Sequence, residues 1–162
     1  MAKEKLVFQP MANRNPDCVT EFTFLNGRAA SPVDLMDRGA ALATHLTAPR
    51  VISLTGPLGA GKTHFVKGLV RGFGSTQEVS SPTFTLVHEY EGGRVPIIHF
   101  DFYRLESSAD LQALGWHDYL RERSIIAVEW GDRIPECLPD DALHVKISID
   151  GDGRLIEIGS IG

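Results

Sequence analysis

The sequence is short of cysteine, of long apolar runs and of positive charge, and each shortage removes a class of protein. Cys18 and Cys137 are the only cysteines among 162 residues. Two are too few for a disulfide framework, so reduced thiols in a reducing compartment are expected. No stretch approaches the ~18 apolar residues of a membrane-spanning helix. The opening segment, Met1 to Pro10, lacks the apolar core of a signal peptide. Together these imply a cytoplasmic protein with no membrane partner. Basic side chains number 16 against 21 acidic ones, a formal net charge of -5. That balance argues against a broad nucleic-acid-binding face. There is no internal repeat and no low-complexity segment. His99 and Asp101 have no further His or Cys at zinc-ligand spacing.

What is present suits one domain with a real core: 162 residues, 43% of them hydrophobic. Residues 1–19 mix charge, Pro and Asn without periodicity and read as a flexible tail with room for one short strand. Residues 20–162 read as a single domain. Phe22 and Phe24, two apart, suggest a strand over 20–25, turned by Asn26-Gly27. Ser31-Pro32-Val33-Asp34 starts a helix: Ser31 caps, Pro32 suits the first position, and Asp34 completes the box. Val33, Met36, Ala40, Ala43 and Leu46 are its expected apolar stripe.

The informative stretch is Gly56-Pro-Leu-Gly-Ala-Gly-Lys-Thr63, which fits G-x-x-x-x-G-K-[ST]. Its glycines permit a tight loop whose backbone N–H groups converge on an anion. Lys62 reaches the outer phosphates, Thr63 offers a hydroxyl to Mg²⁺, and the next helix turns its positive end to the phosphates. The context is the required one. Val51-Ile-Ser-Leu-Thr55 is a buried-type strand, and Phe65, Val66, Leu69 and Val70 follow at helical spacing towards Gly72.

Beyond the loop helix, 84–90 and 95–100 read as a hairpin about Gly92-Gly93. Ser107 and Asp110 form a second capping box, opening a helix through Leu114 and on towards Leu120. Residues 124–128 form another apolar strand, and 142–149 with 154–158 a closing hairpin. The expected fold is α/β, three-layer and P-loop NTPase-like: a mainly parallel sheet with antiparallel additions and helices on both faces.

A phosphate loop needs a second acidic site for Mg²⁺, and Asp101 and Glu129 both end apolar strands, where ligands gather in open α/β sheets. In Ser81-Pro-Thr-Phe-Thr85, either Thr83 or Thr85 is placed to meet the terminal phosphate, with Thr85 taken into the catalytic set beside Asp101 and Lys62. Arg104 is a candidate phosphate or partner contact. Trp130 is a candidate site wall or partner anchor.

These segments, in this order and spacing, resemble the TsaE (YjeE) family, the small P-loop ATPases of bacterial tRNA threonylcarbamoyladenosine synthesis. The resemblance covers roughly 22–158. It rests on Gly56–Thr63, Ser81-Pro-Thr-Phe-Thr-Leu86, His99-Phe-Asp-Phe-Tyr-Arg-Leu105 and Val128-Glu-Trp130. This chain has Pro57 where the family usually carries an acidic residue. The resemblance implies ATP or ADP cradled by Gly56, Leu58, Gly59, Ala60, Gly61, Lys62 and Thr63, with slow hydrolysis. It implies Mg²⁺ held by Thr63 and Glu129, and Asp101 positioning water at the terminal phosphate. By analogy with the family's nucleotide pocket, Ser31 and the Gly153-Arg154 hairpin are assigned to the base side. The implied partners are a TsaD-like transferase and a TsaB-like protein, with tRNA reached only through that complex. Two alternatives are a nucleotide-sensing scaffold with negligible hydrolysis and a small P-loop kinase. Against the kinase stands the lack of an Arg-rich lid insertion. No Asn-Lys-x-Asp guanine reader is present.

Overall fold

A computed structural model describes residues 8–10 and 22–161. Its strands are β1 (Phe8–Pro10), β2 (Gly27–Ala29), β3 (Arg50–Thr55), β4 (Val87–Tyr90), β5 (Ile97–Asp101), β6 (Ile125–Glu129), β7 (Leu143–Asp150) and β8 (Gly153–Ile161). They form one sheet in the order β1-β8-β7-β3-β6-β5-β4, with β2 also paired to β8. β3 is central and runs parallel to β6 and β7, and β6 runs parallel to β5. The pairs β4–β5, β7–β8, β1–β8 and β2–β8 are antiparallel. This is the three-layer α/β arrangement expected. Apart from β1, the segment expected as a tail lies outside the described residues.

One face of the sheet is covered by α1 (Pro32–Ala43) and α2 (Lys62–Gly72). The other carries the short helices α3 (Ser108–Ala113) and α4 (Trp116–Tyr119). Strand alternation sorts the two cores. Ile52, Leu54, Ile97, Ile125 and Ala127 join Leu35, Leu42, Phe65 and Leu69 on the first face. Ile98, Phe100, Ile126 and Val128 join Phe102, Leu111 and Trp116 on the second. By the same alternation His99, Asp101 and Glu129 share the face of the loop helix. No helix among the described residues is long and apolar enough to cross a membrane.

Helices α1 and α2 cross where both offer glycine. A Cβ on Gly39 would sit 2.2 Å from the Phe65 carbonyl oxygen, and one on Gly68 would sit 1.9 Å from that of Met36. The stripe of α1 is therefore displaced from the expected one. Leu35, Gly39, Leu42 and Ala43 are buried, whereas Val33 is 61% exposed. Ser31 caps the helix as expected, accepting from the Asp34 N–H at 3.1 Å.

Three further expectations are corrected. Thr23–Leu25 is one turn of 3₁₀ helix, not part of a strand, because Phe22 and Leu25 are buried three apart and Leu25 N–H bonds the Phe22 carbonyl at 3.0 Å. The strand follows at Gly27. β4 begins at Val87 and not at Phe84: Leu86 has φ 69°, and its N–H donates to the Pro82 carbonyl, so 83–86 turn. Gly115, at φ 84°, breaks the second helix into α3 and α4. The capping box of Ser107 and Asp110 is present in both directions.

Candidate functional site

The loop between β3 and α2 lies at the C-terminal end of the central strand, where an open α/β sheet binds its ligands. Two of its glycines combine a positive φ with no room for a Cβ. Gly56 has φ 146°, and a Cβ on it would lie 2.1 Å from the Ile147 carbonyl oxygen. Gly61 has φ 100°, and a Cβ on it would meet the Leu35 side chain at 2.5 Å. Leu58 projects from the loop, 81% exposed.

Lys62 is buried at the first position of α2, not directed outward. Its ammonium donates to the carbonyls of Gly56 at 2.8 Å and Pro57 at 3.0 Å. It also lies 3.9 Å from the centroid of the Trp130 ring. Burial holds Lys62 below the usual lysine range, opposed by the negative charges of Glu129, Asp101 and Asp132. A cation held by carbonyls and a ring face, at the N-terminus of an 11-residue helix, is suited to meet an anion.

The two acidic candidates are brought together. Asp101 and Glu129 are register partners at the ends of β5 and β6. Glu129 Oε1 accepts from the Thr63 hydroxyl at 2.7 Å and from His99 Nε2 at 2.9 Å. His99 is fully buried and takes a structural part, fixing the carboxylate. Asp101 Oδ2 accepts from the Thr83 hydroxyl at 2.8 Å, and its Oδ1 accepts from the Tyr103 N–H at 2.8 Å. Thr85 is not brought to Asp101. Its hydroxyl is paired with His88 at 2.7 Å, whereas that of Thr83 meets Asp101.

Trp130 follows Glu129 in the left-handed region, with φ 59°. Its N–H bonds the Leu54 carbonyl at 2.9 Å, which turns the chain across the end of β3. The half-buried ring is a wall of the site between Lys62 and Tyr103, 5.0 Å from the Tyr103 ring. Arg104 is exposed and lies over the Phe84 ring at 5.3 Å, on the rim and not on the loop.

A second recess adjoins the loop. Ser31, Leu35, Gly59, Ala60, Gly61, His64, Gly153 and Arg154 line a cavity of ≈180 Å³. Ser31 and Gly153 both line this recess beside the loop. Sequence reasoning missed the hold of Arg154 on the loop, Leu35 beneath Gly61, and Asp132 near Lys62. The resemblance had placed the Gly153-Arg154 hairpin on the base side, whereas the structure turns the Arg154 side chain onto the loop carbonyls of Gly59 and Ala60.

The donors fit Mg²⁺ with a nucleotide phosphate. A threonine hydroxyl and a carboxylate are hard oxygens, and Mg²⁺ takes one or two such protein ligands with water and phosphate oxygens completing its shell.

The family model described as "Threonylcarbamoyl adenosine biosynthesis protein TsaE" matches residues 29–156. The chain is 42% identical over 113 residues to the tRNA threonylcarbamoyladenosine biosynthesis protein TsaE of Bacillus subtilis, covering 69% of this chain and 70% of that one. It is 40% identical over 121 residues to the protein of the same name from Nostoc, covering 73% and 74%. Its fold superposes on the crystal structure of Bacillus subtilis YdiB with TM-score 0.71 at 33% identity, covering 83% of this chain and 84% of that one.

Proposed function

The chain belongs to the TsaE family of threonylcarbamoyladenosine biosynthesis proteins, and from that premise we propose that it binds ATP with Mg²⁺ and hydrolyses it slowly to ADP. It does so in the cytoplasm, in support of tRNA threonylcarbamoyladenosine formation by a TsaD-like transferase and its TsaB-like companion. The observation that carries this reading is the 2.7 Å contact of Thr63 with Glu129, 66 positions apart in sequence. It joins the phosphate loop to the acidic end of β6, as a nucleotide-and-metal site requires.

The residues divide the work. Backbone N–H groups of the loop and of the first turn of α2 face the phosphates, and Lys62 exchanges its two carbonyl partners for the outer phosphates. Thr63 and Glu129 hold Mg²⁺, which when bound neutralises the charge developing on the phosphate oxygens. Asp101, 2% exposed and fixed by Thr83 and Tyr103, orients the attacking water and accepts its proton. Thr83 takes the part first assigned to Thr85, since its hydroxyl meets Asp101.

The partner part of the proposal is supported by the rim. Phe84 is 84% exposed, Leu58 81% and Tyr103 45%. Exposed apolar side chains around a polar site favour a protein that covers it and excludes water. Phosphate release, measured for the isolated protein and again with the transferase pair, tests the proposal. A slow basal rate that rises several-fold with the pair is expected. A brisk basal rate indifferent to the pair would contradict it.

A further inference from the structure

We infer that Arg154 is a positioning residue that sets the phosphate loop in its anion-binding shape before any nucleotide arrives. The inference rests on the phosphate-loop reading above and deepens it. Arg154 opens β8, opposite Ala29 of β2 and Ile149 of β7. Its side chain crosses to a segment 94 positions away. Nε donates to the Ala60 carbonyl at 3.0 Å, and Nη2 to the Gly59 carbonyl at 3.0 Å. Nη1 donates to the carbonyl of its own neighbour Gly153 at 2.8 Å. Arg154 takes part in none of the ion pairs among the described residues. Its hydrogen bonds are therefore spent on backbone, two of them on consecutive peptide groups of the loop.

The consequence follows from peptide geometry. In a trans peptide the C=O and the N–H point in opposite directions. Holding the Gly59 carbonyl towards the hairpin turns the Ala60 N–H away from it, and that N–H does point into the loop, donating to the Pro57 carbonyl at 3.1 Å. Holding the Ala60 carbonyl in the same way turns the Gly61 N–H away from the hairpin. The Gly61 N–H immediately precedes Lys62 and is one of the donors a phosphate needs. A loop of glycines without this hold would sample many conformations, and the ordering cost would fall on nucleotide binding. The planar fork of arginine suits two neighbouring acceptors, whereas a lysine ammonium is a single point donor.

The test compares wild type with Arg154→Met, which keeps the apolar stem, and Arg154→Lys, which keeps the charge. Amide hydrogen exchange of the nucleotide-free proteins is read over residues 57–62, and binding of ATP, ADP and inorganic tripolyphosphate is read by calorimetry. In both variants exchange at Ala60 and Gly61 should speed up. All three ligands should bind more weakly by a similar factor, roughly tenfold or more for lost charge-assisted hydrogen bonds. Unchanged exchange, or full affinity in Arg154→Lys, would overturn the inference. So would a loss confined to ATP and ADP with tripolyphosphate unaffected, since that marks a contact to the nucleoside and not to the loop. Should Arg154→Met fail to fold, Arg154→Lys is judged by the same readouts. If wild type binds none of the ligands, the proposed function falls, and the exchange result still decides the role of Arg154.

Discussion

Lys62 shows how one side chain serves both the fold and the site. Its amino group is largely removed from water, against two loop carbonyls and a tryptophan face and near three carboxylates. Because burial lowers its pKa, the unfolded chain binds this proton more tightly than the native one does. The sign follows: stability contributed through Lys62 rises with pH across the alkaline window just below 10.5, the ordinary lysine value. Denaturant unfolding of wild type and Lys62→Met across that window should show the stability difference, wild type minus variant, rising with pH. The other titrating groups are common to both proteins and cancel. The same variant should fold and lose nucleotide affinity by about tenfold or more, as removal of a charge-assisted contact implies. A variant that binds ATP as tightly as wild type would contradict the role given to Lys62. The identity of Lys62 was legible in the sequence through its spacing, whereas its burial was not. No local pattern announces that a tryptophan 68 positions on will lie beneath it.

At the scale of elements, the legible parts were those whose signal is local. β3 and β6 are short, mostly apolar runs, and the Ser31 cap, the Ser107–Asp110 capping box and the β7–β8 hairpin carry their own local chemistry, although Asp34 closes on the Ala30 N–H and not on that of Ser31. The misread parts depended on a neighbour. Phe22 and Phe24 alternate like a strand, yet burial selects Phe22 and Leu25 and makes a turn. The stripe of α1 was misphased because its central contact is Gly39, which no hydropathy pattern marks as core. That contact gives a test. Alanine at Gly68 should favour the helix by up to ~1 kcal/mol through propensity. Its Cβ, however, would lie 1.9 Å from the Met36 carbonyl oxygen, a backbone atom that cannot turn aside. The clash should win, destabilising Gly68→Ala by about 2–3 kcal/mol in denaturant unfolding. An unchanged or stabilised variant would show that α1 and α2 do not cross as closely as described.

At the scale of the whole molecule, the site is a meeting of segments that the sheet order makes adjacent. β3 brings Gly56 to Thr63, β5 brings Asp101, β6 brings Glu129 and Trp130, and β8 brings Arg154. The sequence could nominate Asp101 and Glu129 because both end apolar strands. It could not decide between them, since the choice depends on which carboxylate meets the Thr63 hydroxyl, a contact between elements. In the structure Glu129 meets the Thr63 hydroxyl and Asp101 meets that of Thr83, and the proposal of metal to Glu129 and water to Asp101 rests on that division. Among the described residues, the two left-handed non-glycine positions, Leu86 and Trp130, flank this meeting point. Backbone strain of order 1–3 kcal/mol at each is consistent with positions held for function. The most direct test is calorimetry of ATP binding in Mg²⁺ and in chelator, for wild type, Glu129→Ala and Asp101→Ala. Wild type and Asp101→Ala should bind more tightly with Mg²⁺ than without it, and Glu129→Ala should bind equally in both. If Glu129→Ala keeps the Mg²⁺ effect while Asp101→Ala loses it, the two carboxylates hold the opposite offices and the proposed metal site is wrong.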